Sequence, residues 1–163
     1  GDLESQDFAA TADYLKTLPY VNPHKIAIQG WSYGGYMSLL TVSKFPSAYA
    51  AAIAIAPVAD WREYDNIYTE RYMKLPAENP EGYAQSSVYT HVANITSKVL
   101  IAYGTADDNV HPQNSLNLAR AMIDAQIDFD MLTFPNDEHS LFGRNSRLFL
   151  YRKIFNFLEI SFQ

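Results

Sequence analysis

The sequence predicts an α/β protein: a mainly parallel sheet with helices on both faces. Three short apolar runs carry that prediction, Lys25–Gly30 (KIAIQG), Ala51–Pro57 (AAIAIAP) and Lys98–Gly104 (KVLIAYG). Each is short for a helix and apolar at consecutive positions, as strands covered on both faces are. Helical spacing or turn residues separate one run from the next. Strands that alternate with helices imply parallel pairing through right-handed crossovers. In such sheets the chemistry gathers beyond the carboxyl ends of the strands.

Taken in order, Phe8, Ala12, Leu15 and Leu18 recur at near-helical spacing, and Pro19, Asn22 and Pro23 stop that helix. KIAIQG follows as the first strand. From Gly34 the spacing turns helical again, with Tyr36, Met37, Leu39, Leu40 and Val42 on a largely apolar helix that ends before Pro46. AAIAIAP is the second strand. Between Trp61 and Val88 the periodicity breaks down; the segment is rich in tyrosine and carries Pro76 and Pro80, which predicts an excursion with short helices. KVLIAYG is the third strand, and Leu116, Ala119, Met122 and Ile123 mark a helix ending near Ala125. Phe129–Phe134 reads as a fourth strand, residues 136–143 as a loop, and Leu148–Ile160 as a final helix with apolar residues on most of its faces.

The bulk properties exclude more than they identify. At 163 residues the chain has the length of one domain with its own core. The net charge of −6 is spread without acidic or basic blocks, whereas a nucleic-acid partner demands a cationic face. No apolar run is long enough to span a bilayer. With no cysteine there is neither a disulfide framework nor a thiolate zinc site, and the redox compartment stays open. The chain begins at Gly1 with no signal-like apolar segment and reads as a piece of something longer.

The residues with chemistry to offer follow the predicted strands. Gly30-Trp31-Ser32-Tyr33-Gly34 fits G-x-S-x-G between a strand and a helix, a tight turn that pushes a serine hydroxyl into the open and whose small residues avoid Cβ clashes. The same turn aims the Tyr33 backbone N–H, beside a helix N-terminus, at the place where an oxyanion would form. A serine hydroxyl needs a base, and the base needs a carboxylate to fix its tautomer. The third strand ends in GTADDNVH, which offers Asp107 and Asp108; the fourth ends in PNDEHS, which offers His139. Spacing alone leaves the two aspartates open, one for the imidazole and the other for capping or bracing the loop.

Of the four histidines, His24 precedes the serine-bearing strand and belongs to the opposite end of the sheet. His91 falls at the end of the excursion, and His111 shares a loop with the aspartates, so His139 is the favoured base. Asp137 and Glu138 read as a solvated loop, since no cluster at ligand spacing accompanies them, and neither metal nor cofactor is expected. Gly34-Gly35 lacks the rest of a dinucleotide fingerprint.

GWSYGGYMS, APVADWREYDNIYTERYM, GTADDNVHPQNS and DEHS together resemble the catalytic domain of the prolyl oligopeptidase family, in its dipeptidyl peptidase IV branch. The resemblance runs from about Asp7 to the C-terminus. It implies that residues 1–163 are the C-terminal portion of a partial α/β-hydrolase fold, with Ser32 as nucleophile, Asp107 as orienting acid and His139 as base. It further implies that Tyr33, Val58, Trp61, Tyr64, Tyr68 and Val110 wall a compact apolar pocket for the proline or alanine second from a peptide's N-terminus, with Asn109 contacting the preceding carbonyl. Tyr103 and Ser140 depart from the family's common histidine and glycine, and neither carries chemistry.

The resemblance also implies a β-propeller that anchors the substrate amine and an upstream tyrosine that completes the oxyanion hole, neither within these residues. Loss of one such donor lowers turnover about 10²- to 10³-fold, so the isolated chain is expected to be a feeble peptidase. It is expected to be a homo-oligomer, through the open edge of KIAIQG or through the first helix. Family analogy points to a periplasmic or extracellular setting. The competing readings are a carboxylesterase or acylaminoacyl peptidase on the same fold, and a catalytically silent assembly module.

Overall fold

Four parallel strands lie side by side in the order in which they occur in the chain. The computed structural model describes all 163 residues. β1 (Ala27–Trp31) is an edge, followed by β2 (Ala51–Ile55), β3 (Lys98–Gly104) and β4 (Asp130–Phe134). The register aligns Trp31 with Ile55, Ile55 with Ala102, and Gly104 with Phe134, so the carboxyl ends form one rim. Helices α1 (Asp2–Lys16) and α2 (Tyr33–Lys44) flank β1 in sequence. The excursion after β2 holds a 3-10 turn (Trp61–Glu63), α3 (Asn66–Met73), α4 (Pro80–Ser86), α5 (Val88–His91) and a second 3-10 turn (Val92–Asn94). Helix α6 (Gln113–Asp124) joins β3 to β4, and α7 (Arg144–Ser161) ends the chain. No helix is long and apolar enough to cross a membrane.

Side chains of a strand alternate between faces, and both faces here are covered. Ile28, Ala52, Ala54, Val99 and Ile101 pack with α2 and with Leu118 and Met122 of α6. Ile53, Ile55, Leu100 and Phe134 pack on the other side with Leu150, Ile154 and Phe157 of α7. Each strand adds to the same side of its predecessor, so crossovers of one hand put α2, the excursion and α6 on one face. Only α7, which follows the last strand, returns on the other. Helix α7 carries apolar residues on most of its faces, with Leu150, Ile154 and Phe157 as its buried stripe and Tyr151, Phe155 and Ile160 exposed.

The excursion is held by polar anchors as well as by aromatic packing. Asp60, 2% exposed, caps the Trp61 turn by accepting the Arg62 N–H at 2.8 Å and pairs with the Arg62 guanidinium. Burial alone would raise the Asp60 carboxyl, but bonds from the Arg62 side chain and the Arg62 N–H outweigh it and hold the group below the ordinary 3.8. A depressed folded pKa adds stability that is full above the ordinary 3.8 and is lost as pH falls below it through the lower folded value. Asp60→Asn is therefore expected to destabilise by about 1–3 kcal/mol at pH 7, less than a fully buried pair because Arg62 is half-exposed. Urea midpoints of wild type and variant should converge as pH is lowered below about 4; a gap that stays constant with pH would refute the electrostatic cause.

Candidate active site

Ser32, Asp107 and His139 follow the carboxyl ends of β1, β3 and β4, so the register delivers all three to the common rim. Ser32 sits at φ 59°, ψ −118°, an unusual backbone for a residue with a side chain. The turn is fixed on both sides: Ser32 N–H donates to Ile55 C=O at 2.8 Å, and Ser32 C=O accepts from Tyr36 N–H at 3.0 Å. Backbone approaches backbone so closely that a Cβ on Gly30 would lie 2.0 Å from Gly34 O. Gly34 differs from expectation, because a Cβ there meets nothing within 4 Å. The crowding falls on Gly30, and the space outside Gly34 is open.

The three side chains form one hydrogen-bonded chain. Asp107 Oδ2 lies 2.8 Å from His139 Nδ1, and His139 Nε2 lies 2.9 Å from Ser32 Oγ. A carboxylate only accepts, so Nδ1 carries the proton and Nε2 faces the serine hydroxyl as an acceptor. The other carboxylate oxygen accepts the N–H groups of Asn109 and Val110 at 3.0 and 2.9 Å. Asp107, 3% exposed, thus does both jobs that spacing had divided between two aspartates, and Asp108 is exposed. His91 spends its Nε2 on Gln85 C=O at 3.0 Å. His111 is exposed, and His24 lies by a small polar cavity with Pro46 and Ser97, among residues preceding β2 and β3.

Two residues that sequence reasoning left aside hold the histidine in place. Trp31 Nε1–H donates to the His139 carbonyl at 2.9 Å. Gly104 ends β3 where the His139 loop crosses it; a Cβ there would lie 2.1 Å from Asp137 O. The available signals were an indole inside the G-x-S-x-G turn and a glycine closing a strand.

Tyr33, the residue after Ser32, lines a cavity of about 420 Å³ with Trp61, Tyr68, Tyr72, Met73 and Thr69, and with Gly1 and Glu4 of the α1 end; no triad member lines it. Trp61 is the hub of its aromatic wall, with ring centroids 5.0 to 5.9 Å from Tyr33, Tyr36, Tyr64 and Tyr68. Of the expected pocket residues, Tyr33, Trp61 and Tyr68 line this cavity. Tyr64 lies against Trp61 and donates to Asn109 Oδ1 at 2.9 Å, while Val58 and Val110 are buried in the core. Tyr33 OH donates to Glu4 Oε1 at 3.0 Å, and burial followed by that carboxylate raises the phenol well above its ordinary value. Burial likewise pushes Tyr36 up to about 12. Tyr33 opens α2, so its backbone N–H has no i−4 carbonyl within the helix.

The sequence model of the prolyl oligopeptidase family matches residues 1–163. The chain belongs to the prolyl oligopeptidase family. Within that family it is 43% identical over 99% of its length to "Probable dipeptidyl-aminopeptidase B" of Metarhizium robertsii, covering 18% of that protein. It is 38% identical to dipeptidyl aminopeptidase B of Saccharomyces cerevisiae, covering 99% of this chain and 20% of that one. The crystal structure of Porphyromonas gingivalis dipeptidyl peptidase 4 superposes with a TM-score of 0.93 at 44% identity, over 95% of this chain and 22% of that one. The fold is accordingly the α/β arrangement of a prolyl oligopeptidase family hydrolase domain. The chain spans about a fifth of the length of these relatives.

Proposed function

We propose that residues 1–163 are the C-terminal portion of the catalytic domain of a serine peptidase that releases N-terminal dipeptides, Xaa-Pro or Xaa-Ala, through an acyl-enzyme. The observation that carries this reading is the Ser32–His139–Asp107 hydrogen-bond chain, with Tyr33 next to Ser32 lining an aromatic-walled cavity. Ser32 Oγ attacks the scissile carbonyl as His139 Nε2 takes its proton, and Asp107 stabilises the imidazolium that results. The Tyr33 N–H donates to the oxyanion. The tetrahedral intermediate collapses as His139 passes the proton to the leaving amine, and water repeats the sequence on the ester.

A proline ring is rigid and apolar, and its burial against the faces of Trp61, Tyr68 and Tyr33 needs little ordering; Tyr64, Val58 and Val110 belong to the same proposed pocket. The same proposal assigns Asn109 to the preceding carbonyl. The second oxyanion donor and the anchor for the substrate's ammonium are assigned to the rest of a polypeptide the length of the relatives. For the isolated chain, homo-oligomerisation belongs to the same proposal, through the edge of β1 or through α1. A monomer by light scattering would remove that part.

The test compares hydrolysis of a Gly-Pro anilide with that of a short acyl ester by the full-length protein. A pocket built for proline favours the anilide in kcat/KM by about tenfold or more. Preference for the ester would transfer the reading to a carboxylesterase. An organophosphorus probe that leaves Ser32 unlabelled would transfer it to a silent module.

A further inference from the structure

We infer that Asn114 is a positioning residue for the substrate pocket: its amide clamps both ends of the Trp61 turn to the start of α6. Asn114 lies in the first turn of α6, is 0% exposed and touches neither the triad nor the cavity. Its Oδ1 accepts the Ala59 N–H at 2.9 Å, and its Nδ2 donates to the Glu63 carbonyl at 3.2 Å. A buried amide is costly unless satisfied. Here the amide is spent on main-chain groups either side of Trp61.

The clamp has a second layer. Glu63 accepts from Tyr89 OH at 2.8 Å and from Asn117 Nδ2 at 2.7 Å, so α5 and α6 both grip the end of the turn. Tyr64 reaches across to Asn109. Because Trp61 is the hub of the aromatic wall, a shift of its turn moves the wall as a unit. The Asp107 carboxylate, braced by the N–H groups of Asn109 and Val110, and His139, braced by Trp31, do not depend on the clamp. Asn114 therefore governs how a pocket-filling substrate is held, and Ser32 keeps its reactivity without it.

The substrate side of this inference rests on the proposed function, and the experiment separates the two. Asn114→Ala removes both bonds; Asn114→Asp keeps the size and the acceptor for Ala59 but turns an oxygen toward the Glu63 carbonyl. In the full-length protein each is expected to lower kcat/KM for the Gly-Pro anilide about 10- to 100-fold, mostly through KM, with phosphonylation of Ser32 by a small dialkyl fluorophosphate within about twofold of wild type. Unchanged anilide kinetics, or a loss of phosphonylation as large as the loss of peptidase activity, would overturn it. Should Asn114→Ala fail to fold, Asn114→Asp decides. If wild type is labelled yet leaves the anilide intact, the proposed substrate fails, and the clamp is judged on an aromatic acyl ester that fills the same cavity.

Discussion

Full-length protein carrying His139→Ala loses turnover by on the order of 10⁴- to 10⁶-fold and no longer takes an organophosphorus label on Ser32. The geometry explains both effects, since Nε2 at 2.9 Å is the base that the Ser32 hydroxyl has within reach. Asp107→Asn tests the third member by a different route. Its oxygen can still accept the N–H groups of Asn109 and Val110, so the loop keeps its shape. Its NH₂ then faces Nδ1, which must become an acceptor, and the imidazole is left with its proton on Nε2, where it cannot receive another. A fall of about 10⁴-fold with an unchanged melting temperature is expected. The losses are not additive, so Ser32→Ala combined with His139→Ala is no worse than either alone. Labelling at the wild-type rate in His139→Ala would remove the triad from the mechanism.

The triad was legible because its members sit just past strands that announce themselves. β3 runs over Lys98–Gly104, the residues its composition marks, since a central strand is apolar throughout and bounded by a turn. The apolar run predicts β1 over residues 25–30, whereas it spans Ala27–Trp31: the strand continues until the G-x-S-x-G turn breaks it at Ser32 with a positive φ. β2 ends at Ile55 for a similar reason, Ala56 turning to φ 45°. Helix α7 starts at Arg144, earlier than its apolar residues signal, because a polar first turn carries no periodicity. The brace on His139 was illegible: the bond from Trp31 joins residues 108 apart, and nothing local in the sequence points across that gap. Asn114 was hidden for the same reason, as an amide in a helix's first turn looks like a solvated cap until the Trp61 turn is found folded over it.

Gly104→Ala is expected to separate strand from histidine loop, with a loss of about 10²-fold or more in Ser32 labelling and turnover and about 1–3 kcal/mol in stability. Its Cβ would meet Asp137 O at 2.1 Å, Asp137 C at 2.7 Å and Glu138 O at 3.0 Å. All three are backbone atoms, so no rotamer change relieves the clash, and the segment just before His139 must move. That movement also strains the bond from Ala106 N–H to Asp137 C=O at 3.0 Å. Gly34→Ala is the contrasting variant within the G-x-S-x-G turn. With open space around its Cβ and a helical backbone, it is expected to hold or raise stability, alanine being favoured over glycine in a helix by up to about 1 kcal/mol. Thermal melts of the two variants, run beside the rate of organophosphorus labelling, distinguish crowding by backbone from mere glycine content. Wild-type labelling in Gly104→Ala would mean that the close crossing at β3 does not set the position of His139, leaving the Trp31 indole as its brace.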